Sequence, residues 1–538
     1  MRRWNGWGDD ATSIDLNEAA RAMMSARLGP GLPGRDATRE EILVQIPATR
    51  LPAHALIQTE AATRFAMALG ESFADWIRKR FGALPPVPDG VAFPESEAQV
   101  RELLDLAHAH NWIVIPFAGG TSVAGHLDCP VSQRPILSIN LSRMNRLLHL
   151  DKISQLATFD AGTPGPLVEA QLRAHGYTLG HFPQSFEYST VGGWVVTRSS
   201  GQQSLRYGRI EQLFAGGRLE SPVGTLSIPT VPAASAGPDL RELVLGSEGR
   251  FGILTEAVLR VSPLPEHESF HALFFPGWDA AELAVRELVQ RKLPLSLLRL
   301  SNGIETEINL TLAGHARLIG WLQRYLSLRG CGEGKCMLML GVTADKRTAR
   351  HVLREARRLL ARLGAVYIGP AMGSKWATNR FKGPYLRNTL WELGYSADTI
   401  ETAVDWPQVK PLMLAMEQAS RDVFAQYGER VHAFTHLSHL YPQGSSIYSQ
   451  FVWATAPGGF APNFERWQRL KAAVATAIAA HGGTVSHQHG VGRDHASHLA
   501  DEKGPLGMAT LAELCRHFDP KKIMNPGKLL QDEGPWAS

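Results

Sequence analysis

The sequence predicts a multi-domain α+β protein, and three observations carry that reading. Its 538 residues are too many for one ordinary core; at about 150 residues per domain they suggest two to four units. Segments with helical periodicity alternate along the chain with short β-prone runs. Glycine-rich turns follow several of those runs directly.

Residues 1 to 80 are expected to be loop and short helix: "SARLGPGLPGR" is a loop and "ESFADWIRKRFG" an amphipathic helix. After the break "ALPPVPDG", Val100, Leu103, Leu104, Leu106 and Ala107 recur at helical spacing, with Glu95 and Glu97 near the positive end of the helix dipole. The run "WIVIPF" reads as a buried strand. "PILSIN", "ATFDAG", "GTLSIP" and "ILTEAVLRVSP" are β-prone, with the helix "GPLVEAQLRAHGY" among them. From about residue 265, helices such as "RTARHVLREARRLLARLG" alternate with strands such as "CMLMLGVTA", which reads as a second α+β domain. "NFERWQRLKAAVATAIAAHGG" is a long amphipathic helix ending in glycines.

Composition narrows the function class. The chain is 44% hydrophobic and 20% charged, as globular proteins are. A net charge of +4 implies no strong field for a polyanion, so nucleic acid is not an expected partner. No run of about 18 apolar residues appears, so no spanning helix is expected. The start "MRRWNGWGDD" has two arginines without an apolar stretch behind them, the pattern of neither a secretory nor a twin-arginine signal. Cys129, Cys331, Cys336 and Cys515 are scattered, give no zinc spacing and fit a reducing compartment. The expected location is the cytoplasm, peripheral to a membrane.

The turn "PFAGGTSVAGHLD" (116 to 128) follows the apolar run directly. Gly119 and Gly120 allow close backbone approach and positive φ, and Thr121 and Ser122 add hydroxyls. Such a nest of N–H groups can neutralise a diphosphate without a lysine; a tight structural turn is the other reading. No Gly-Lys-Ser/Thr follows, and G-x-G-x-x-G is absent, so this is neither a Walker A loop nor a Rossmann fingerprint. "HFPQSFEYSTVGGWVVTRSSGQQSLRYG" (181 to 208) is a long connection of small and hydroxyl residues, a length usually tied to function. In "VSHQHGVGRDH" (485 to 495), His487 and His489 share a face if the segment is extended. Two such imidazoles can bind a metal, run acid–base chemistry or fill a polar corner of the core. Asp494, His495 and His498 lie near, but no ligand spacing supports a metal, and none is expected.

Together with "RRWNGWG", "GSEGRFGILTEA", "SIYSQF" and the closing "NPGK", these segments resemble the alkyldihydroxyacetonephosphate synthase family. That family lies within the vanillyl-alcohol oxidase, or p-cresol methylhydroxylase (PCMH), type of FAD-binding fold. The resemblance implies an N-terminal helical and loop region (1–80), a PCMH-type FAD-binding domain (81–265), an α+β substrate-binding cap domain (266–455) and a helical C-terminal segment (456–538) that completes the active site. It implies that Pro116, Phe117, Ala118, Gly119, Gly120, Thr121, Ser122 and Val123 wrap the FAD pyrophosphate. Gln184, Ser185, Ser189, Thr190, Gly193, Thr197, Ser200, Gly201, Glu248, Gly249, Gly252, Ile253 and Leu254 are implied along the adenine, ribose and isoalloxazine. Some relatives attach flavin covalently through a histidine in the glycine loop. Here Gly119, Gly120 and Thr121 stand there and His126 lies beyond, so FAD is expected to be non-covalent.

The implied reaction replaces the acyl group of acyl-dihydroxyacetone phosphate by a fatty alcohol through a flavin N5 adduct, a step of ether lipid synthesis. Tyr448 matches the family's proton acceptor; a phenol of ordinary pKa near ~10 needs help to ionise, and His487 and His489 are candidates to position it. Arg387 matches the substrate-phosphate arginine, whose fork suits phosphate oxygens. Arg299, in an apolar strand-like run, is costly unless paired or facing a site, and matches an arginine needed for activity; His181 matches a functional histidine. The family carries three histidines where this chain has His487-Gln488-His489, and the central amide cannot shuttle protons. The alternative activity is a FAD-dependent D-2-hydroxyacid dehydrogenase or oxidase, but such enzymes usually show Gly-Glu-His-Gly at this triplet. The expected partners are small lipid molecules, a membrane touched peripherally, and a second copy of the chain in a homodimer.

Overall fold

A computed structural model describes residues 2–531 and contains three main sheets. In the first, strands Gly90–Ala92, Ile136–Asn140 and Ile113–Phe117 run parallel, with Ile57–Gln58 antiparallel at the edge. The helix Glu97–His110 covers it, burying Val100, Leu103, Leu104 and Ala107. Ser96 caps this helix by accepting from the Gln99 N–H, and Asn111 ends it in the left-handed conformation that short polar side chains tolerate. The Ile113–Phe117 strand is buried and releases the chain into the glycine turn at Ala118. On its other edge the tail adds one bridge: the Val114 N–H donates to the Ile523 carbonyl, and Asn525 N–H returns to the Val114 carbonyl.

The second sheet is antiparallel, in the order Leu147–Asp151, Leu156–Asp160, Ile253–Arg260, Phe214–Ser221, Gly224–Ile228. The third has seven antiparallel strands, all between His267 and Ala454. Its central register aligns Arg299 with Met339, Ser301 with His436, His436 with Tyr448, and Tyr448 with Glu401. Side chains alternate across a sheet. Leu298, Leu300, Leu338, Ile447 and Phe451 therefore point to one face, where they form a large apolar cluster with the helices Phe73–Phe81, Trp278–Gln290, Lys346–Arg362, Trp406–Ala425 and Phe460–Ala480. Arg299, His436, Tyr448 and Glu401 share the opposite face.

Two expectations need correcting. The 181–208 connection is not structureless: it holds the helices Val191–Val196 and Ser204–Tyr207. Thr190 caps the first by accepting from Gly193 N–H, but its two glycines and β-branched residues hide it from a propensity reading. The 456–538 segment is not one unit. Trp467, Leu470, Val474 and Ile478 of Phe460–Ala480 complete the seven-stranded sheet's core, whereas Cys515, Phe518, Ile523 and Met524 pack with the first two sheets. No helix among the described residues is long and apolar enough to cross a membrane.

Candidate active site

A cavity opens between the glycine turn, the Ser185–Ser199 segment, the Glu248–Leu254 segment and the C-terminal turn. Pro116 to Val123 all line it, as do Ser185, Ser189, Thr190, Gly193, Thr197, Glu248, Gly249, Gly252, Ile253 and Leu254. None of the lining residues is Lys or Arg. The donors are backbone groups instead: the N–H groups of Gly119, Gly120, Thr121, Ser122 and Val123 find no acceptor among the described residues. Three of their carbonyls are held from behind. Arg2 donates to the Gly119 and Gly120 carbonyls at 2.7 and 3.3 Å, and Glu71 N–H donates to the Ser122 carbonyl at 2.7 Å. A row of free N–H groups with pinned carbonyls makes an anion-binding nest. Gly119 is required by space, since a Cβ there would lie 2.0 Å from the Tyr188 carbonyl oxygen.

These features fit FAD. The nest suits a diphosphate, and Gln488 Oε1 and Asn525 Oδ1, buried acceptors without a partner, line the same cavity. His126 also lines it, with Nδ1 2.5 Å from Ser122 Oγ and Nε2 3.1 Å from Glu248 Oε2. Nδ1 is thus hydrogen-bonded, whereas Nε2 sits beside the Glu248 carboxylate without a hydrogen bond. Glu248, at φ 51°, takes a backbone conformation unusual for a residue with a Cβ. Its carboxylate accepts from the N–H groups of Val491 and Gly492, tying the C-terminal turn to the cavity wall. Gln184, Ser200 and Gly201 do not line the cavity. Gln184 donates to the Arg380 carbonyl, and Gly201 is pressed against Phe182 and His181.

Beside the cavity, one buried carboxylate lies against both histidines of the His487-Gln488-His489 segment. Glu401 Oε1 lies 2.9 Å from His487 Nδ1, and Oε2, without a hydrogen-bond partner, lies 3.6 Å from His489 Nε2. Arg209 Nη1 is 2.9 Å from His487 Nε2, and Tyr441 Oη is 2.6 Å from it. A guanidinium can only donate, so His487 Nε2 accepts and Nδ1 carries the proton toward Glu401. Burial, and then the Arg209 charge, push the His487 pKa well below its ordinary value, which keeps this neutral tautomer. Burial raises the Glu401 pKa, against the pull of His489, His436 and Arg209.

Tyr448 stands next to this group. Its ring stacks on His436 at 4.8 Å and meets the edge of His489 at 5.8 Å; His489 in turn lines the cavity. Burial, with Glu401 and Asp398 adding negative charge, pushes its phenol up to about 12. Its neighbours are therefore His436 and His489. His487, expected to help position it, bonds to Tyr441 instead. Arg299 Nη2 donates to Glu305 Oε1 at 2.8 Å and lies 3.2 Å from His436 Nδ1, which itself is 2.9 Å from Glu305.

Two expected residues sit further back. Arg387 does not line the cavity: Nη1 donates to the Glu71 carbonyl and the guanidinium lies 4.3 Å over the Trp76 ring. Trp76 packs on the helix-covered face of the sheet, opposite to Tyr448, so Arg299 is the arginine brought beside the tyrosine. Buried Nε and Nη2 of Arg387 have no partner. His181 lies behind Ser199 at 3.2 Å and against Trp194; burial and then Arg209 lower its pKa to about 3, so it is neutral.

The comparisons with known proteins agree with this architecture. A family model described as "FAD binding domain" matches residues 88–227, and one described as "FAD linked oxidases, C-terminal domain" matches 264–529. An alkyldihydroxyacetonephosphate synthase of Trypanosoma brucei brucei is 28% identical, over 98% of this chain and 92% of its own. One of Dictyostelium discoideum is 30% identical, over 88% of this chain and 78% of its own. The chain belongs to the alkyldihydroxyacetonephosphate synthase family. A solved structure of such a synthase superposes with a TM-score of 0.84 at 26% identity, covering 98% of both chains. A 4-ethylphenol oxidase from Gulosibacter chungangensis, 14% identical with a TM-score of 0.69 over 93% of this chain and 98% of its own, shares the fold. For a synthase of this family, Glu401 and His436 are residues that sequence reasoning missed, while His126 and Asn525 stood in the quoted segments "PFAGGTSVAGHLD" and "NPGK" without a role. The one local signal was a lone glutamate in the alternating strand "YSADTIETAVD".

Proposed function

We propose that the protein replaces the ester-linked acyl group of acyl-dihydroxyacetone phosphate by a fatty alcohol, with FAD as cofactor. The observation that carries this reading is the placement of Tyr448 between His436 and His489, one ring from the FAD cavity, with Arg299 on the same sheet face. Bound FAD supplies an electron-accepting ring beside the substrate carbon. Tyr448, whose phenol burial keeps protonated, takes the proton of that carbon as it passes its own on. His489, in edge contact with the Tyr448 ring and 3.6 Å from Glu401, relays that proton toward the carboxylate. Arg299 has guanidinium donors left after its bond to Glu305 and orients the phosphate. The glycine nest excludes water and fixes the cofactor, so positioning supplies much of the rate.

The protein is further proposed to work in the cytoplasm, peripherally at a membrane. Four free, buried cysteines support a reducing compartment, and long-chain substrates reside in membranes. The test uses two assays on yellow, FAD-loaded protein. Acyl-dihydroxyacetone phosphate with labelled fatty alcohol is expected to yield labelled ether product without bleaching a redox dye. Bleaching by a D-2-hydroxyacid, with no ether product, establishes the oxidoreductase instead.

A further inference from the structure

One carboxylate oxygen holds two residues beside Tyr448. Glu305 Oε1 accepts from Arg299 Nη2 at 2.8 Å, from His436 Nδ1 at 2.9 Å and from Gln450 Nε2 at 3.2 Å. The chain builds this locally. The strand Leu297–Ser301 ends with Ser301 in register with His436, and Asn302 then caps the helix Gly303–Leu312 by accepting from the Glu305 N–H at 2.9 Å. Glu305 thus falls in the first helical turn, where the dipole favours its negative charge. It is 2% exposed. Burial acts against ionisation, but His436 and then Arg299 lower its pKa, so it stays a carboxylate.

A carboxylate can only accept, so His436 Nδ1 carries the ring's proton and Nε2 keeps a lone pair. Nε2 has no hydrogen-bond partner among the described residues. Burial, then Arg299, lowers the His436 pKa against the pull of Glu305, so the ring rests neutral. It lies almost parallel to the Tyr448 ring, at 18°. A neutral imidazole backed by a carboxylate is the arrangement of a general base: when Nε2 takes a proton, the cation forms against a fixed negative charge.

The exchange of acyl group for alcohol has two protons to handle. Tyr448 and His489 serve the one on the substrate carbon; the other is the hydroxyl proton of the incoming alcohol. Burial keeps the Tyr448 phenol protonated, so its oxygen is no free base for that second proton. We propose that His436, aimed by Glu305, is the base that activates the alcohol. The alcohol O–H bond breaks and its proton goes to His436 Nε2. The alcohol oxygen bonds to the substrate carbon, from which the acyl group has left as a carboxylate with the electron pair of its C–O bond. The proton then passes to water, one per turnover. His436 is in this role a catalytic residue and Glu305 a positioning residue; both assignments rest on the proposed reaction.

The experiment follows both halves of the exchange in FAD-loaded His436→Gln, with acyl group and alcohol carrying different labels. Only the second half needs this base. Fatty acid is expected to leave in the first turnover at close to the wild-type rate, about one equivalent per site, while ether forms at least about a hundredfold more slowly. A 2,2-difluorinated fatty alcohol, a stronger acid than its parent, needs less help from a base. With it the gap between variant and wild type is expected to narrow to about tenfold. Glu305→Gln keeps the imidazole but removes its anion, and is expected to show the same pattern with a smaller gap. Should His436→Gln lose its flavin, the response of Glu305→Gln to the fluorinated alcohol decides. Loss of fatty-acid release together with ether formation, ether formation at the wild-type rate, or a gap that the fluorinated alcohol leaves unchanged each overturn the proposal. Absence of ether from the wild type overturns the reaction on which it rests, and is read without any variant.

Discussion

The guanidinium of Arg2 donates to the carbonyl of Gly119 at 2.7 Å, joining the start of the chain to the cofactor turn 117 positions later. The same side chain reaches the Gly120 carbonyl and lies 5.2 Å over the Tyr188 ring, and Trp7 meets that ring edge-on. Holding the carbonyls turns the adjacent N–H groups toward the cavity. Arg2→Ala is therefore expected to weaken FAD binding by about five- to tenfold, the equivalent of one charge-assisted hydrogen bond in a partly exposed place. Titration of apoprotein followed by flavin fluorescence checks this; an unchanged dissociation constant removes Arg2 from the cofactor site.

The glycine turn was legible in the sequence because close backbone approach selects small residues locally. Glu401 was not, because its role arises from meeting His487, 86 positions away, and no local pattern encodes that distance. Asn525 was visible only as part of the closing "NPGK"; its place in the cavity depends on the tail bridging to Val114. Arg387 shows the opposite failure. A motif match suggested a ligand-facing fork, but the helix Leu386–Glu392 lays its guanidinium on Trp76.

Glu401→Gln is expected to lower kcat by about a hundredfold or more with little change in bound FAD. A general acid–base relay is worth roughly that much, and the neutral amide cannot take up a proton. Stopped-time product assays with the 450-nm-region flavin spectrum as control make the comparison. Wild-type turnover in this variant would show that the carboxylate only fills space.

Tyr448→Phe should abolish measurable turnover and leave the flavin bound, since the ring still stacks on His436 and only the hydroxyl is lost. A loss beyond about a thousandfold is expected for the group that handles the substrate proton. Flavin-free protein from this variant would instead assign the hydroxyl to structure.

Glu401, His439 and His487 bring ligand-type atoms together within 4.8 Å, a grouping that could hold a metal. Arg209, however, donates to His487 Nε2, while Nδ1–H faces Glu401, so neither nitrogen offers a free lone pair and a fixed positive charge stands beside the group. Dialysis against EDTA is accordingly expected to leave activity unchanged. About one equivalent of tightly bound zinc or manganese by elemental analysis, with activity lost on its removal, would reverse that assignment.

Acid should destabilise the fold through its buried histidines. Burial, then Arg209, lowers His181 to about 3, and burial, then Arg27, lowers His432 to about 4. In the unfolded chain each takes a proton near ~6.5, so between these values the unfolded state binds more protons. Their contribution is therefore present above about pH 6.5 and is lost as pH falls toward the folded values, at up to about 1.4 kcal/mol per pH unit for each ring. Urea midpoints measured at about pH 7 and pH 5 should fall together with acidification. His181→Asn cannot take up that proton, so the fall between the two pH values should be smaller in the variant, whatever its absolute stability. An identical fall in both proteins would mean that His181 is already protonated or solvated in the native state.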